Sequence, residues 1–591
     1  MNAEQGTVFV VLVLMLVLFT WGRWRYDLVA LAALITLTLA GIIPPTETFA
    51  GFGHPAVITV AAVLVIGRTV QRSGAIETVA RHVARITRKP GLQVMVLASL
   101  TAVCSAFMNN VAAVALLMPV AIRAATAANR PISQVLMPLS FASLLGGLVT
   151  LIGTPPNIII ASYRAEFVGA PFGVFDFSRV GLPTALVGII FIAVAGWRLI
   201  PNRRLKSVES EQLFEISDYI SEGQIPDGSQ LIDQPLRALA DRTNSNVKVV
   251  SLVRKGGRLH APGPSTRLQQ GDVLVLEGDP SFLQSIAAKG ELKISGGEEI
   301  SKRSLQSDDF ALVEAVISPG SALEDRRASA ARFRLVHGTS LLAISRQGRA
   351  IWRGLRDLRL RVGDVLLLHG QKDAMPEVLA NLGCLPLAER EHVRARRRPN
   401  LLPIGLFALG IVAAAVDLVP VQVAFAATAL LLVAIGQLPL REAYTSINWP
   451  IIVLVAALLP VGQALQETGG IELLARIVLD VAKGLPLLAL LAIVIAATMV
   501  LSDVINNAAA AIVMAPFAVT IAGDLGASPD GFLMAVAIGS SCTFLTPIGH
   551  QSNTLVMGPA GYHFGDYWRL GLPLDLLIVA TASMMILFVW C

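Results

Sequence analysis

Two blocks of this chain, residues 7–198 and 401–590, consist largely of apolar runs, and the 199–399 stretch between them does not. That middle stretch holds most of the Lys, Arg, Asp and Glu, and its apolar runs are short. A chain divided in this way reads as membrane–soluble–membrane. The composition agrees: 15% of residues are charged and mean hydropathy is +0.66, whereas a soluble domain averages about a quarter charged residues. An ordinary soluble enzyme and a disordered chain are both excluded. The net charge of +6 belongs beside an anionic leaflet and does not indicate nucleic acid. Cys104, Cys384, Cys542 and Cys591 lie too far apart for metal-ligand spacing or a disulfide framework.

Candidate spans are 7–21, 28–43, 55–71, 133–162 and 180–198 in the first block, and 401–416, 419–436, 450–466, 531–558 and 571–590 in the second. The run 7–21 has no Lys or Arg before it and no small-residue cleavage site after it, so it reads as a membrane helix rather than a signal peptide. Two more runs, 92–127 and 485–523, are too long for one span. They break at Met108-Asn109-Asn110 and at Ser502-Asp503 with Asn506-Asn507. Each half is short for a ~30 Å hydrocarbon core, which predicts re-entrant hairpins with their tips near the midplane. The runs 133–162 and 531–558 are interrupted by Gly153-Thr154-Pro155-Pro156-Asn157 and by Thr546–Asn553, and read as broken helices. Irregular backbone at that depth survives only against protein or a wet cavity.

The blocks repeat each other. Ser105, Asn109, Asn110 and Pro119 match Ser502, Asn506, Asn507 and Pro516 at an offset of 397. Thr150, Ile152, Gly153 and Asn157 match Thr546, Ile548, Gly549 and Asn553 at an offset of 396. Register held at Gly, Pro, Asn and Thr is not a product of shared apolar composition. Five spans per repeat invert the second copy. The basic residues agree: Arg23, Arg25, Arg72, Arg81, Arg130, Arg203, Arg394 and Arg569 all fall on one side, taken as cytoplasmic, which places 199–399 there too.

At the tips, an Asn amide offers an acceptor oxygen and a donor NH2, and Ser adds a hydroxyl. Such a tip can hold a hard cation by oxygens and an oxyanion by amide hydrogens, helped by helix N-termini. The alternative is that these residues only cap broken helices or bond across an interface. His550 reads either as a donor to an anion or as a hydrogen-bonded interior histidine. Asp503, whose repeat partner is Ala106, reads as a proton or cation carrier or as a helix cap.

The paired Asn motifs, the Gly-Thr-Pro-Pro-Asn loop, the Thr546–Asn553 loop and Gly558-Pro559-Ala560-Gly561-Tyr562 followed by Asp566-Tyr567 resemble the divalent anion:sodium symporter family of the ion transporter superfamily. The resemblance covers both membrane blocks. It implies two sodium sites flanking one dianion, with sodium as coupling ion and no other cofactor. Ser105, Asn109, Asn110 and the Gly153 carbonyl would form one cation site; Ser502, Asn506, Asn507 and the Gly549 carbonyl would form the other. Asn109, Asn110, Thr154, Asn506, Asn507 and His550 would contact the anion. The family's usual tip is Ser-Asn-Thr. Here the tips are Asn-Asn-Val and Asn-Asn-Ala. The missing hydroxyls weigh against a dicarboxylate and suit a smaller tetrahedral oxyanion such as sulfate.

The middle stretch repeats as well. Arg254-Lys255-Gly256 with Gly271–Gly278 pairs with Arg346-Gln347-Gly348 with Gly363–Gly370 at an offset of 92. Strands are predicted at 247–254, at 341–346 and after each Gly-Asp, with helices at 281–288 and 374–381. This resembles two tandem TrkA-type C-terminal (RCK-C) domains, which in potassium transport proteins dimerise and bind small regulatory ligands. A bare assembly platform is the alternative, and no phosphate loop is present.

The expected architecture is a polytopic α-helical membrane protein: repeat 1 (1–198), two α+β domains (207–295 and 300–386) and repeat 2 (401–591), with two inverted five-span repeats. The expected function is secondary import of a divalent anion, sulfate or a dicarboxylate, by a homodimer in a bacterial inner membrane. Two rival readings remain: a cation/proton antiporter with Asp503 as carrier, and a non-transporting membrane sensor worked by the insert. No nucleophile–base pair, metal cluster or phosphate loop suggests an enzyme.

Overall fold

The computed structural model describes residues 3–21, 24–74, 90–128, 130–201, 220–242, 247–254, 257–260, 263, 265–278, 292–295, 310–331, 333, 338–346, 349–351, 355–387, 400–416, 418–469, 485–505 and 507–591. The helix predicted at 281–288, the basic residues Arg23, Arg81, Arg203 and Arg394, and Asn506 lie outside them. The chain divides into two compact units, 1–204 with 394–591, and 205–393.

Among the described residues the first unit is all helical, and its two blocks follow one order. Helices Ala3–Trp21, Tyr26–Leu39 and Pro55–Arg72 precede a helical hairpin, Pro90–Ser105 with Asn110–Ala127. A broken helix follows, Ser133–Gly147 with Pro155–Val168, and a closing helix begins at Ser178. The second block runs Leu402–Ala415, Val421–Ala434, Trp449–Glu467, hairpin Leu487–Val504 with Asn507–Asp524, broken helix Pro529–Ser541 with Gln551–Ala560, and closing helix Tyr567–Trp590. Large apolar side chains such as Leu39, Leu430 and Phe588 stand exposed on the outside, while Ser, Thr and Asn of the hairpins and broken helices are buried. That inside-out distribution suits lipid as solvent.

Among the described residues five helices are long and apolar enough to cross a membrane, or six if the bent pair Leu440–Ser446 and Trp449–Leu465 counts as one. Two of the five are hairpin arms, Asn110–Ala127 and Leu487–Val504. One arm of each hairpin is therefore long enough to cross, while the other, Pro90–Ser105 or Asn507–Gly523, is shorter, as the half-lengths predict. The second hairpin breaks later than its sequence suggests. Ser502 and Asp503 stay helical, and the turn begins at Ile505, which is extended.

Proline and glycine set the local geometry. Pro155 and Pro529 open their helices, where a missing N–H costs nothing. Gly181 and Gly571 are needed where the closing helices cross the breaks: a Cβ would sit 2.1 Å from the Leu148 carbonyl oxygen and 2.3 Å from that of Phe544.

The second unit contains two antiparallel five-stranded sheets. Strands β1 (Ile220–Gln224), β2 (Val247–Arg254), β3 (Gly257–His260), β4 (Val273–Gly278) and β5 (Lys293–Ser295) stand in the order β3-β2-β4-β1-β5. Strands β6 (Phe310–Ile317), β7 (Ser340–Arg346), β8 (Arg349–Ile351), β9 (Val365–Gln371) and β10 (Cys384–Pro386) stand in the order β10-β6-β9-β7-β8. Read strand for strand, the second order is the first reversed. Even the bulges recur, between Val249 and Ser251 and between Leu341 and Ala343. In each sheet the Gly-Asp turn does more than start a strand. Arg254 Nε and Nη2 donate to Asp272 at 2.8 and 2.7 Å, and Arg346 donates to Asp364 at the same distances. Helix Met375–Leu382 covers the second core, built on Ile317, Ile344, Leu366 and Leu368.

Candidate functional site

Each hairpin turns on a Ser–Asn pair. Ser105 Oγ donates to Asn110 Oδ1 at 2.7 Å, and Ser502 Oγ lies 3.1 Å from Asn507 Oδ1 while donating to the Ser540 carbonyl at 2.7 Å. All four side chains are buried. Asn109 caps the inner arm of its hairpin, its Oδ1 accepting from Val111 N–H at 2.9 Å. The capping alternative therefore holds for Asn109, and the amide that turns inward is that of Asn110.

The breaks are held by a second asparagine. Asn157 Nδ2 donates to the carbonyls of Gly147 and Thr150, at 3.1 and 2.8 Å. Asn553 Nδ2 donates to those of Thr543 and Thr546, at 2.8 and 3.2 Å. Each bridges the carbonyls that the break strips of their helical N–H partners. Thr150 Oγ1 donates to the Ala106 carbonyl, as Thr546 Oγ1 does to Asp503, which ties each break to its own hairpin. Thr154 and Asn110 converge beside Gly147, where a Cβ would meet Asn110 Oδ1 at 2.9 Å and Thr154 Cβ at 3.4 Å. Gly153 packs as closely, a Cβ there falling 2.5 Å from the Gly147 oxygen.

The two broken helices run antiparallel. At one end Arg164 makes a bidentate pair with Asp530 at 2.8 and 2.9 Å. At the other, Tyr562 donates to the Ser133 carbonyl and accepts from Met137 N–H at 2.9 Å. Between them Ser140 Oγ donates to Asn553 Oδ1 at 2.7 Å. The inner arm of each hairpin packs on the broken helix of its own block and on the second half of the other's. The site is thus shared between the blocks.

Two amide atoms at this centre have no hydrogen-bond partner although buried: Asn507 Nδ2, a donor, and Asn157 Oδ1, an acceptor. Leaving such groups unpaired costs about 1–3 kcal/mol each, which a bound solute would recover. His550 caps helix Gln551–Ala560 with Nδ1, which accepts from Ser552 N–H at 3.0 Å, so only Nε2 is left for a ligand. Asp503 lies within its helix and does not cap it, and neither carboxylate oxygen has a partner of normal geometry. The sequence marks Asn157 and Asn553 as members of the break motifs and as repeat matches, with no ligand role of their own, and its reading does not include Asp575 or Arg164. A lone acid in the apolar run Leu574-Asp575-Leu576-Leu577 was a legible signal for the first of these two. The Arg164–Asp530 pair, 366 residues apart, was not.

The chain is similar to several known proteins. The family model described as "Citrate transporter" (CitMHS) matches residues 16–539. The uncharacterized transporter sll0640 of Synechocystis sp. is 30% identical, the alignment covering 98% of this chain and 96% of that protein. Sodium/sulfate cotransporter 1 of Chlamydomonas reinhardtii is 25% identical over 62% of this chain and 43% of its own length. Among solved structures, the YdaH transporter of Alcanivorax borkumensis aligns with a TM-score of 0.44 at 15% identity, covering 93% of this chain and 87% of that one, too loosely to carry an argument. The chain is an integral membrane protein, and with a family model spanning most of its length it belongs to the citrate transporter family, whose members are transporters rather than enzymes.

Proposed function

We propose that this transporter imports a small divalent oxyanion, sulfate in the first instance, driven by sodium. The observation that carries the reading is the pair of buried, unpartnered amide atoms at the shared centre. The free NH2 of Asn507 suits an oxyanion, and Asn110, Thr154 and Nε2 of His550 complete a polar lining. Ser105, Asn110 and the Gly153 carbonyl would hold one sodium, with Asn109 serving as the helix cap beside it, and Ser502, Asn506, Asn507 and the Gly549 carbonyl the other. The relative named a sodium/sulfate cotransporter supports both ions. Tips that carry Val111 and Ala508, with no hydroxyl after the second Asn, favour sulfate over a carboxylate.

The antiparallel broken helices support an inverted relation between the blocks, and with it alternating access. The two sheet domains, repeated down to their bulges and Arg–Asp pairs, would be RCK-C-like regulators on the cytoplasmic side. They would answer to a small ligand and sit within a homodimer. Uptake of 35S-sulfate into proteoliposomes with and without an inward sodium gradient tests the reading, with citrate and succinate as competitors. Sodium-dependent accumulation is the expected result. Accumulation of citrate but not sulfate would replace the substrate, and sodium–proton exchange without anion uptake would overturn the reading.

A further inference from the structure

The two blocks differ in buried carboxylates that lack a cationic partner: Asp27 of the first block is paired with Arg25. Asp503, on the outer arm of the second hairpin, and Asp575, on the closing helix, are 7% and 8% exposed. Oδ1 of Asp575 has no hydrogen-bond partner. Asp503 is faced only by the backbone N–H groups of Leu545 and Thr546, outside normal hydrogen-bond geometry, and has no cation beside it among the described residues. The two carboxylates lie within electrostatic reach of each other and of Cys542. Beside them stands Thr543, fully buried, its Oγ1 also without a partner. Gly549 brings Asp503 and Thr543 together: the position its Cβ would occupy is 3.0 Å from Asp503 Oδ1 and 3.0 Å from Thr543 Cβ. The closing helix that carries Asp575 packs on the hairpin arm that carries Asp503.

Matching bonds identify the counterparts in the first block. The Thr–carbonyl bonds pair Asp503 with Ala106. The asparagine bonds pair Thr543 with Gly147. The sequences Gly181-Leu182-Pro183 and Gly571-Leu572-Pro573, whose glycines make the same close crossing, pair Asp575 with Ala185. At all three positions the first block has no side-chain oxygen.

We propose that Asp503, Asp575 and Thr543 form an anionic cation site that exists only in the second block. Buried carboxylates with no cationic partner at membrane depth are strongly unfavourable, and a hard cation taken up by these oxygens relieves them. The three oxygen donors favour a hard cation over a soft metal. The choice of sodium as the cation rests on the function proposed above; the site itself does not. The two blocks then bind sodium unequally, the second more tightly and without help from the anion.

The test is binding of 22Na+ to the purified full-length protein, with choline replacing other cations and no sulfate or carboxylate present. Asp575→Asn is expected to weaken sodium binding about tenfold or more, while Asp575→Glu, which keeps the charge, stays close to wild type. Thr543→Val, which keeps the carbonyl that Asn553 uses and removes only Oγ1, provides a second arm should Asp575→Asn not fold; a weakening of about threefold or more is expected. Unchanged sodium affinity in a folded Asp575→Asn, or in Thr543→Val, overturns the site. Sulfate uptake by wild type is scored separately. Sodium binding that depends on Asp575, in a protein that moves no sulfate, upholds the site and removes the sulfate reading. Sodium-driven sulfate uptake with binding indifferent to Asp575 and Thr543 does the reverse.

Discussion

Asn157 and Asn553 hold equivalent places in the two broken helices, and each NH2 bridges the two carbonyls that the break leaves open. Their oxygens part company. Asn553 Oδ1 accepts from Ser140 at 2.7 Å, whereas Asn157 Oδ1 is buried without a partner. The position matching Ser140 in the second block is Val536, which has nothing to donate. The ends differ in the same way. An ion pair, Arg164–Asp530, closes one, and a tyrosine, Tyr562, closes the other. The backbone scheme has been kept in both copies while the polar interior has diverged. Catalogues of matching residues find the scaffold; the unmatched ones mark where the copies do different work.

The comparison is broken hardest by removing its shared element. Asn553→Leu strips two carbonyls and Ser140 of their partners and should cost about 3 kcal/mol or more, with loss of transport. Asn157→Leu strips two carbonyls only and should cost less. Thermal unfolding in detergent, read beside uptake, ranks them; equal effects would mean that the Ser140 bond adds nothing.

Next in size are the two ends. Arg164→Ala leaves Asp530 half-buried and unpaired and should cost about 2–3 kcal/mol, more than the ~1 kcal/mol expected for Tyr562→Phe. Double variants should be additive if the ends act independently.

The insert extends the comparison to a group that titrates. Burial in the second sheet pushes the Glu314 carboxyl up to about 7. A carboxyl raised in the folded state is protonated there while the unfolded chain has already released its proton. Stability is therefore greatest at acid pH and falls as pH rises from about 4.5 to about 7, by about 3 kcal/mol, and levels off above. Glu314→Gln should flatten that decline in the unfolding of the second sheet, followed by amide hydrogen exchange at pH 5 and 7.5; an unchanged slope would exclude Glu314 as its source.

The smallest effect sharpens the comparison by making the copies alike. Val536→Ser offers Asn157 Oδ1 the donor that Asn553 already has, and should stabilise by about 0.6 kcal/mol, the average for a hydrogen bond between membrane helices. No gain in melting temperature would show that the two crossings are not equivalent.

Much of this was legible in the chain itself. Polar pairs, and the clustered Gly, Pro and Asn of the loops, mark the hairpin tips and helix breaks inside apolar runs, because together they strip backbone hydrogen bonds that lipid cannot replace. Single prolines such as Pro183 and Pro573 stay within their helices. The constant offset found the duplication, and the recurrence of Gly-Asp found the two sheets. What escaped has identifiable causes. Ser502 and Asp503 look like turn residues but remain helical, since the helix can bury them against Ser540 and the second break. The offset slips from 396 at the breaks to 390 at Gly181 and Gly571, so Asp575 and Ala185 never line up in a fixed register. Which asparagine caps and which points inward depends on a single φ/ψ choice at Asn109, which composition does not report.

The bonds at both termini of the broken helices have a mechanical consequence. A pair of rods riveted at each extremity cannot open like jaws around a cargo lodged between their waists. On the function proposed above, a solute resting there would travel together with both rods, and a bridge engineered between residues 164 and 530 should leave the protein working.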